Sequence, residues 1–160
     1  MRKEKGFSLL ELLIVVAIIL IIAAIAIPNL MRSRMAANEA SAVSSMRSIN
    51  TAQIAYNSTF LGYATDLTLL GPPAGSSCQA AGSATSANAC LLDNVLQTGT
   101  KAGYNFVISN ATGTPVTNYQ TNADPITQGS SGQRHFYSDS SGVIRYNASG
   151  VANSTDKPIQ

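Results

Sequence analysis

The chain has 160 residues, which is enough for one modest domain, and its formal net charge is +2 at neutral pH. A charge balance so close to zero argues against a dedicated nucleic-acid-binding protein. Only 11% of the residues are charged, while Ser, Thr, Asn, Ala and Gly are abundant after residue 57. This composition predicts a polar but weakly charged surface, which suits a secreted protein that assembles.

An apolar run occupies residues 7–27 and is long enough to cross a membrane. As a helix it would measure about 31 Å, at about 1.5 Å per residue, which matches a hydrocarbon core of about 30 Å. Arg2, Lys3 and Lys5 precede the run, and no comparable basic cluster follows immediately. The positive-inside rule therefore predicts a cytoplasmic N-terminus, with everything after Pro28 on the far side of the membrane.

One acid, Glu11, lies inside this run and separates three interpretations of it. A cleaved secretory signal is supported by the small residues "AIA" at 24–26, but its apolar region is usually shorter and has no use for an acid. A plain anchor gains nothing from the acid, which costs about 2.5–3.5 kcal/mol at mid-bilayer, unless Glu11 lies among the headgroups. In an assembling anchor, a cut after Gly6 would place a free amine on Phe7, about 6 Å along a helix from the carboxylate. A neighbouring subunit's amine could then pair with Glu11 only in the correct axial register.

The segment "GFSLLELLIVVAIILIIAAIAIPN" resembles the cleavage and methylation segment of type IV pilins and of the related type II secretion pseudopilins. It combines a short basic leader, a Gly, a Phe, a Glu four residues later and a Pro that closes the apolar run. The resemblance implies a leader at 1–6 that a prepilin peptidase cuts after Gly6, N-methylation of Phe7 and an assembly role for Glu11. It also implies an inner-membrane assembly machinery as a partner.

Beyond Pro28 the sequence predicts that the helix resumes, with a kink or local unwinding at the proline. We assign residues 7–28 to a transmembrane and assembly helix and residues 29–60 to the amphipathic half of the same helix. Residues 31–60 contain no Gly or Pro and place apolar residues at three- and four-residue steps. This predicted stripe, which needs a sheet to cover it, consists of Met35, Val43, Met46, Ile49, Tyr56 and Phe60.

Residues 61–100 are rich in Gly, Pro, Ser and Ala and are predicted to form a loop region, with at most a short helix near "ACLLDNVLQ". The two cysteines, Cys78 and Cys90, both lie there. On the oxidising side of a membrane a disulfide between them is the favoured interpretation, and two free thiols are the alternative. Two cysteines and a single histidine elsewhere cannot supply a closed four-ligand zinc site.

Residues 101–160 are predicted to form the antiparallel sheet of a globular head. Strand patterns occur at 103–109 and 116–123, and a hairpin pattern begins at Arg134 with Asp139 to Gly142 as its turn. The predicted fold class is therefore α+β, with one long N-terminal helix packed on three or four antiparallel strands.

Residue patterns typical of catalytic or metal-binding sites are sparse in this sequence. His135 is the one histidine and falls in a predicted strand, and no serine elbow, HExxH motif or phosphate-binding glycine loop is present. The acids of the predicted head are scattered singly: Asp66, Asp93, Asp124, Asp139 and Asp156. We therefore expect no enzyme activity, no cofactor and no metal site. Four N-x-[ST] sequences, at Asn57, Asn110, Asn147 and Asn153, are expected to be mostly chance in such a composition.

The sequence predicts a structural subunit of a type IV pilus-like filament, held in the inner membrane before assembly and packed helix to helix with copies of itself and other pilins afterwards. Its surroundings would be membrane lipid first and then an extracellular pilus or a periplasmic pseudopilus. The alternatives are a type II secretion pseudopilin and a membrane-anchored extracytoplasmic binding module that does not polymerise. Adhesion and motility are both compatible with the filament.

Overall fold

The computed structural model describes residues 7–73, 78 and 84–159. The chain divides into an N-terminal unit, residues 1–34, and a C-terminal unit, residues 35–160. The predicted leader and its Gly6 lie outside the described residues.

One helix, α1, runs from Leu9 to Phe60 and contributes to both units. It continues through Pro28 without an unwound residue, so the prediction that the helix resumes is confirmed, whereas a kink stays a prediction. The helix ends where Leu61 adopts a left-handed conformation, with φ at 60°. The N–H of Leu61 still donates to the carbonyl of Asn57, which is how a left-handed residue closes a last helical turn.

The half of α1 in the C-terminal unit buries one face. Met46, Ile49 and Tyr56 of the predicted stripe are buried, and its other three members, Met35, Val43 and Phe60, are half-buried. The stripe was incomplete, because buried polar residues share this face: Glu39, Ser45, Asn50 and Gln53. A periodic pattern of apolar residues does not identify these polar side chains, since their burial depends on the hydrogen-bond partners that they find in the fold.

A single antiparallel sheet of six strands packs on this face of α1, and its strand order follows the chain. The strands are β1 (Thr100–Lys101), β2 (Tyr104–Thr112), β3 (Asn118–Pro125), β4 (His135–Asp139), β5 (Arg145–Asn147) and β6 (Lys157–Pro158). The α+β prediction is confirmed, but the predicted count of three or four strands was wrong. The predicted hairpin after Arg134 is formed by β4 and β5, and the two additional strands, β1 and β6, have only two residues each, too few to show a period-two pattern.

Two short helices connect α1 to the sheet: α2 (Leu67–Leu70) and α3 (Asn94–Gln97). Helix α3 is the short helix predicted near residues 89–97, and α2 was not predicted. Each begins after an aspartate whose carboxylate accepts a backbone N–H, Asp66 for α2 and Asp93 for α3. Cys78 and Cys90 form a disulfide in this region, with their Cα atoms 5.7 Å apart.

The core lies between α1 and the near face of the sheet. Tyr104, Phe106 and Ile108 alternate along β2 toward the helix and are buried, as is Phe136 on β4. On the far face, the side-chain amide of Asn122 in β3 donates to the carbonyl of Ala152 in the loop after β5.

Candidate assembly segment

The first turn of α1 forms half of a capping box. Ser8 immediately precedes the helix, and its backbone N–H donates to a carboxylate oxygen of Glu11 at 3.1 Å. The carbonyl of Ser8 accepts the N–H of Leu12 at 3.2 Å, which closes the first turn. An acid at this position also interacts favourably with the positive end of the helix dipole. Glu11 therefore already has a local role as a cap, and the Ser-x-x-Glu spacing could have revealed it from sequence.

Over residues 12–27 the helix is apolar around its whole circumference. Large side chains from Phe7 to Met31 are exposed in the isolated chain, Phe7 at 78% and Leu9 at 80%. The helix is long and apolar enough to cross a membrane, by length and composition. A shallow groove of about 400 Å³ on this helix is lined by apolar side chains alone: Leu9, Leu12, Leu13, Val16, Ala17 and Leu20. Apolar surface of this extent has to be covered, either by lipid or by protein.

In the C-terminal unit, Glu39 attaches α1 to the segment that leads into β4. Its carboxylate accepts the backbone N–H groups of Gln133 and Arg134 at 2.8 and 3.1 Å, and the Nε of Arg134 donates to it at 2.7 Å. Burial by itself would raise the pKa of Glu39, but these hydrogen bonds and the guanidinium charge outweigh it and hold the pKa below its ordinary value. The side chain of the preceding residue, Asn38, donates to the carbonyl of Ser131 at 2.8 Å.

Two amides further along α1 add to this attachment. The Nδ2 of Asn50 donates to the hydroxyl of Ser138 at 2.8 Å, and its Oδ1 accepts the hydroxyl of Tyr119 at 3.2 Å. Gln53 pairs with the backbone of Ala64 through two hydrogen bonds of 2.9 and 2.8 Å. These buried groups fix the helix relative to the strands, because each would lose a partner if the helix slid by one turn.

His135 begins β4 and contacts an acid on the neighbouring strand. Its Nδ1 lies 2.6 Å from a carboxylate oxygen of Asp124 on the adjacent strand, so one of the scattered acids has a partner that the sequence did not predict. Its Nε2 is buried and has no hydrogen-bond partner in the described part of the chain. Within the same ranges no three His, Cys, Asp or Glu residues cluster as a metal site would require.

The structure brings together only some of the residues that the sequence selected. Phe7 precedes α1, Glu11 lies in its first turn and Pro28 in its interior, all within the N-terminal unit. Cys78 and Cys90 lie in the C-terminal unit. The sequence analysis missed Ser8 and the buried polar residues of α1.

Comparison with known proteins finds a motif at the N-terminal end and similarity to curated proteins over part of the chain. The prokaryotic N-terminal methylation motif matches residues 1–27. The type IV wide pilus major component PilA4 of Thermus thermophilus is 62% identical over 39 residues, which are 24% of this chain and 30% of that protein. The type IV major pilin protein PilA of Myxococcus xanthus is 45% identical over 51 residues, 32% of this chain and 23% of that protein. The matched part thus spans less than a third of either relative, and no solved structure matches the chain significantly.

Proposed function

We propose that this chain, whose N-terminal segment is that of the type IV pilins, is a structural subunit of a type IV pilus-like filament. One observation carries the proposal: within the residues that match the methylation motif, α1 has an acid in its first turn and is then apolar on every side over residues 12–27. A membrane anchor requires the apolar helix but not the acid. An assembling subunit has a use for both.

The precursor is held in the inner membrane by residues 7–27, with the C-terminal unit outside the cytoplasm. Arg32 and Arg34 follow the apolar run, so basic residues flank it on both sides and their excess on the N-terminal side is small. The proposed topology therefore also depends on the methylation motif. Processing by a prepilin peptidase after Gly6 and methylation of Phe7 produce the mature subunit. Neighbouring helices then replace lipid on the apolar surface, and the groove beginning at Leu9 is one place where they can pack.

Glu11 has two roles in this proposal. Within the subunit its carboxylate accepts the N–H of Ser8. In the filament the same carboxylate pairs with the Phe7 amine of an adjacent subunit, which the inner-membrane assembly machinery has to deliver in register. The C-terminal unit has a structural and not a catalytic role, and faces outward.

Substitutions at Glu11 test the proposal, because they separate its role as a cap from its role as a charged partner. Glu11→Gln keeps a carbonyl oxygen that can accept the Ser8 N–H but removes the charge, whereas Glu11→Ala removes both. We expect both variants to insert and to be cleaved, and both to lose long filaments, since an unpaired amine in a low-dielectric helix bundle costs several kcal/mol at every subunit added. Glu11→Asp keeps the charge with a shorter reach and should assemble partially.

The measurements are electron microscopy of surface filaments and immunoblotting of the membrane fraction for the processed chain. Normal filaments in Glu11→Gln cells would show that the cap, and not the charge pair, is what assembly needs. A secretion defect without native surface filaments would instead support a pseudopilin.

A further inference from the structure

The four Asn-x-Ser/Thr sequences lie in different structural settings, which decides how available each asparagine is. Asn57 belongs to the last turn of α1 and is half-buried. The hydroxyl two residues later, on Thr59, donates to the carbonyl of Ala55 at 3.1 Å. A helical backbone holds this sequence rigidly, so it cannot wrap into the active site of a modifying enzyme.

Asn110 and Asn147 lie in strands, and their side-chain nitrogens are hydrogen-bonded. The Nδ2 of Asn110 donates to the Oε1 of Gln120 at 2.6 Å. The Nδ2 of Asn147 donates to a carboxylate oxygen of Asp156 at 3.1 Å. In both, the nitrogen that would have to react is already hydrogen-bonded in the folded sheet.

Asn153 differs from these three in combining an exposed loop position with a side-chain nitrogen that no described protein atom accepts. It lies in the loop between β5 and β6, and its neighbours Ser154 and Thr155 are exposed along with it. Its Oδ1 accepts the backbone N–H of Thr155 at 2.9 Å and the hydroxyl of Thr155 at 2.6 Å. Over residues 7–73, 78 and 84–159 its Nδ2 donates to no protein atom. Its backbone N–H is held by Asp156 at 2.8 Å, so the turn is formed in the free protein.

We propose that Asn153 is an acceptor site for an N-linked glycan. The co-substrate is a lipid-linked glycosyl pyrophosphate: the bond from Nδ2 to the anomeric carbon forms as the bond from that carbon to the pyrophosphate oxygen breaks. The Nδ2 proton passes to a base on the transferase, and the lipid pyrophosphate leaves with the electron pair. The two donors on Oδ1 stabilise the negative charge that the amide oxygen acquires as the proton departs. The inference takes the extracytoplasmic position of the C-terminal unit from the proposed function.

Peptide mass spectrometry of the chain purified from its native cells tests this site. Trypsin cleaves after Arg145, and the peptide that begins at Tyr146 contains both Asn147 and Asn153. We expect this peptide to carry a mass increment of sugar units, and its fragmentation to place the increment on Asn153. Asn153→Gln should lower its occupancy at least ten-fold, while Asn147→Gln leaves it unchanged.

A second pair of variants tests the role of the hydroxyl. Thr155→Val, which keeps the side-chain shape, should lose the increment, and Thr155→Ser should retain it. An unmodified wild-type peptide, or an increment that persists in Asn153→Gln, would overturn the proposal. Electron microscopy of the same cells keeps this result separate from the proposed function: filaments built from an unmodified chain would refute the glycan site alone, and cells without filaments would refute the filament subunit.

Discussion

Replacing Glu39 tests whether its buried carboxylate attaches α1 to the sheet. The side chain belongs to a residue that is only 7% exposed and accepts three hydrogen bonds, two from backbone N–H groups and one from the guanidinium of Arg134. Removing one partner of a buried ion pair costs about 3–5 kcal/mol. Because the Arg134 side chain is 39% exposed and water can solvate it, we expect about 2–3 kcal/mol for Glu39→Ala.

Urea denaturation of the full chain in mild detergent measures this cost, with the near-ultraviolet circular dichroism of its tyrosines as the signal. With a slope of about 1.5 kcal/mol per molar urea, the midpoint of Glu39→Ala should fall by about 1.3–2 M. Lys101→Met is the matched control, because it removes an ion pair to Asp93 whose side chains are 34% and 53% exposed. That pair should contribute at most about 1 kcal/mol.

The stabilisation by Glu39 should also depend on pH. Its pKa is lower in the folded chain than the ordinary value of 4.5, so the stabilisation is complete above that value and is lost as the pH falls through the folded pKa. The difference between wild type and Glu39→Ala should therefore shrink below about pH 4.5. The reasoning fails if Glu39→Ala is no less stable than Lys101→Met at pH 7, or if the difference is the same at pH 3.

Intact mass spectrometry of the mature chain should show an N-methylated N-terminus at Phe7, and a start at Ile27 would identify a secretory signal instead. Cys78 and Cys90 should resist alkylation in exported protein until it is reduced, and reduction should cost about 3 kcal/mol of unfolding free energy, for a sequence separation of 12; free labelling without reductant would exclude the bridge. Gln53→Leu should be destabilised by about 2 kcal/mol, since it leaves two buried backbone groups of Ala64 unpaired, and an unchanged urea midpoint would contradict this.

Local signals in the sequence were sufficient for the long helix and for much of the sheet. Residues 31–60 lack Gly and Pro, and the alternation in "GYNFVIS" is visible without any partner, so α1 and β2 could be predicted. The hairpin of β4 and β5 was also visible, from its turn residues, but β1 and β6 could not be predicted, because two residues are extended only where a neighbouring strand offers hydrogen bonds. Their positions depend on the sheet that precedes them.

By itself the sequence determined the N-terminal segment of this protein, because a membrane-length apolar run, a Gly–Phe junction and an acid four residues later are properties of contiguous residues. Only the tertiary structure decided which polar side chains of α1 are buried, since Glu39 and Asn50 find partners more than 80 residues away along the chain. It also distinguished Asn153 from three asparagines in similar sequences. Hydrogen bonding and exposure depend on what surrounds a residue in space, and a short sequence does not contain that information.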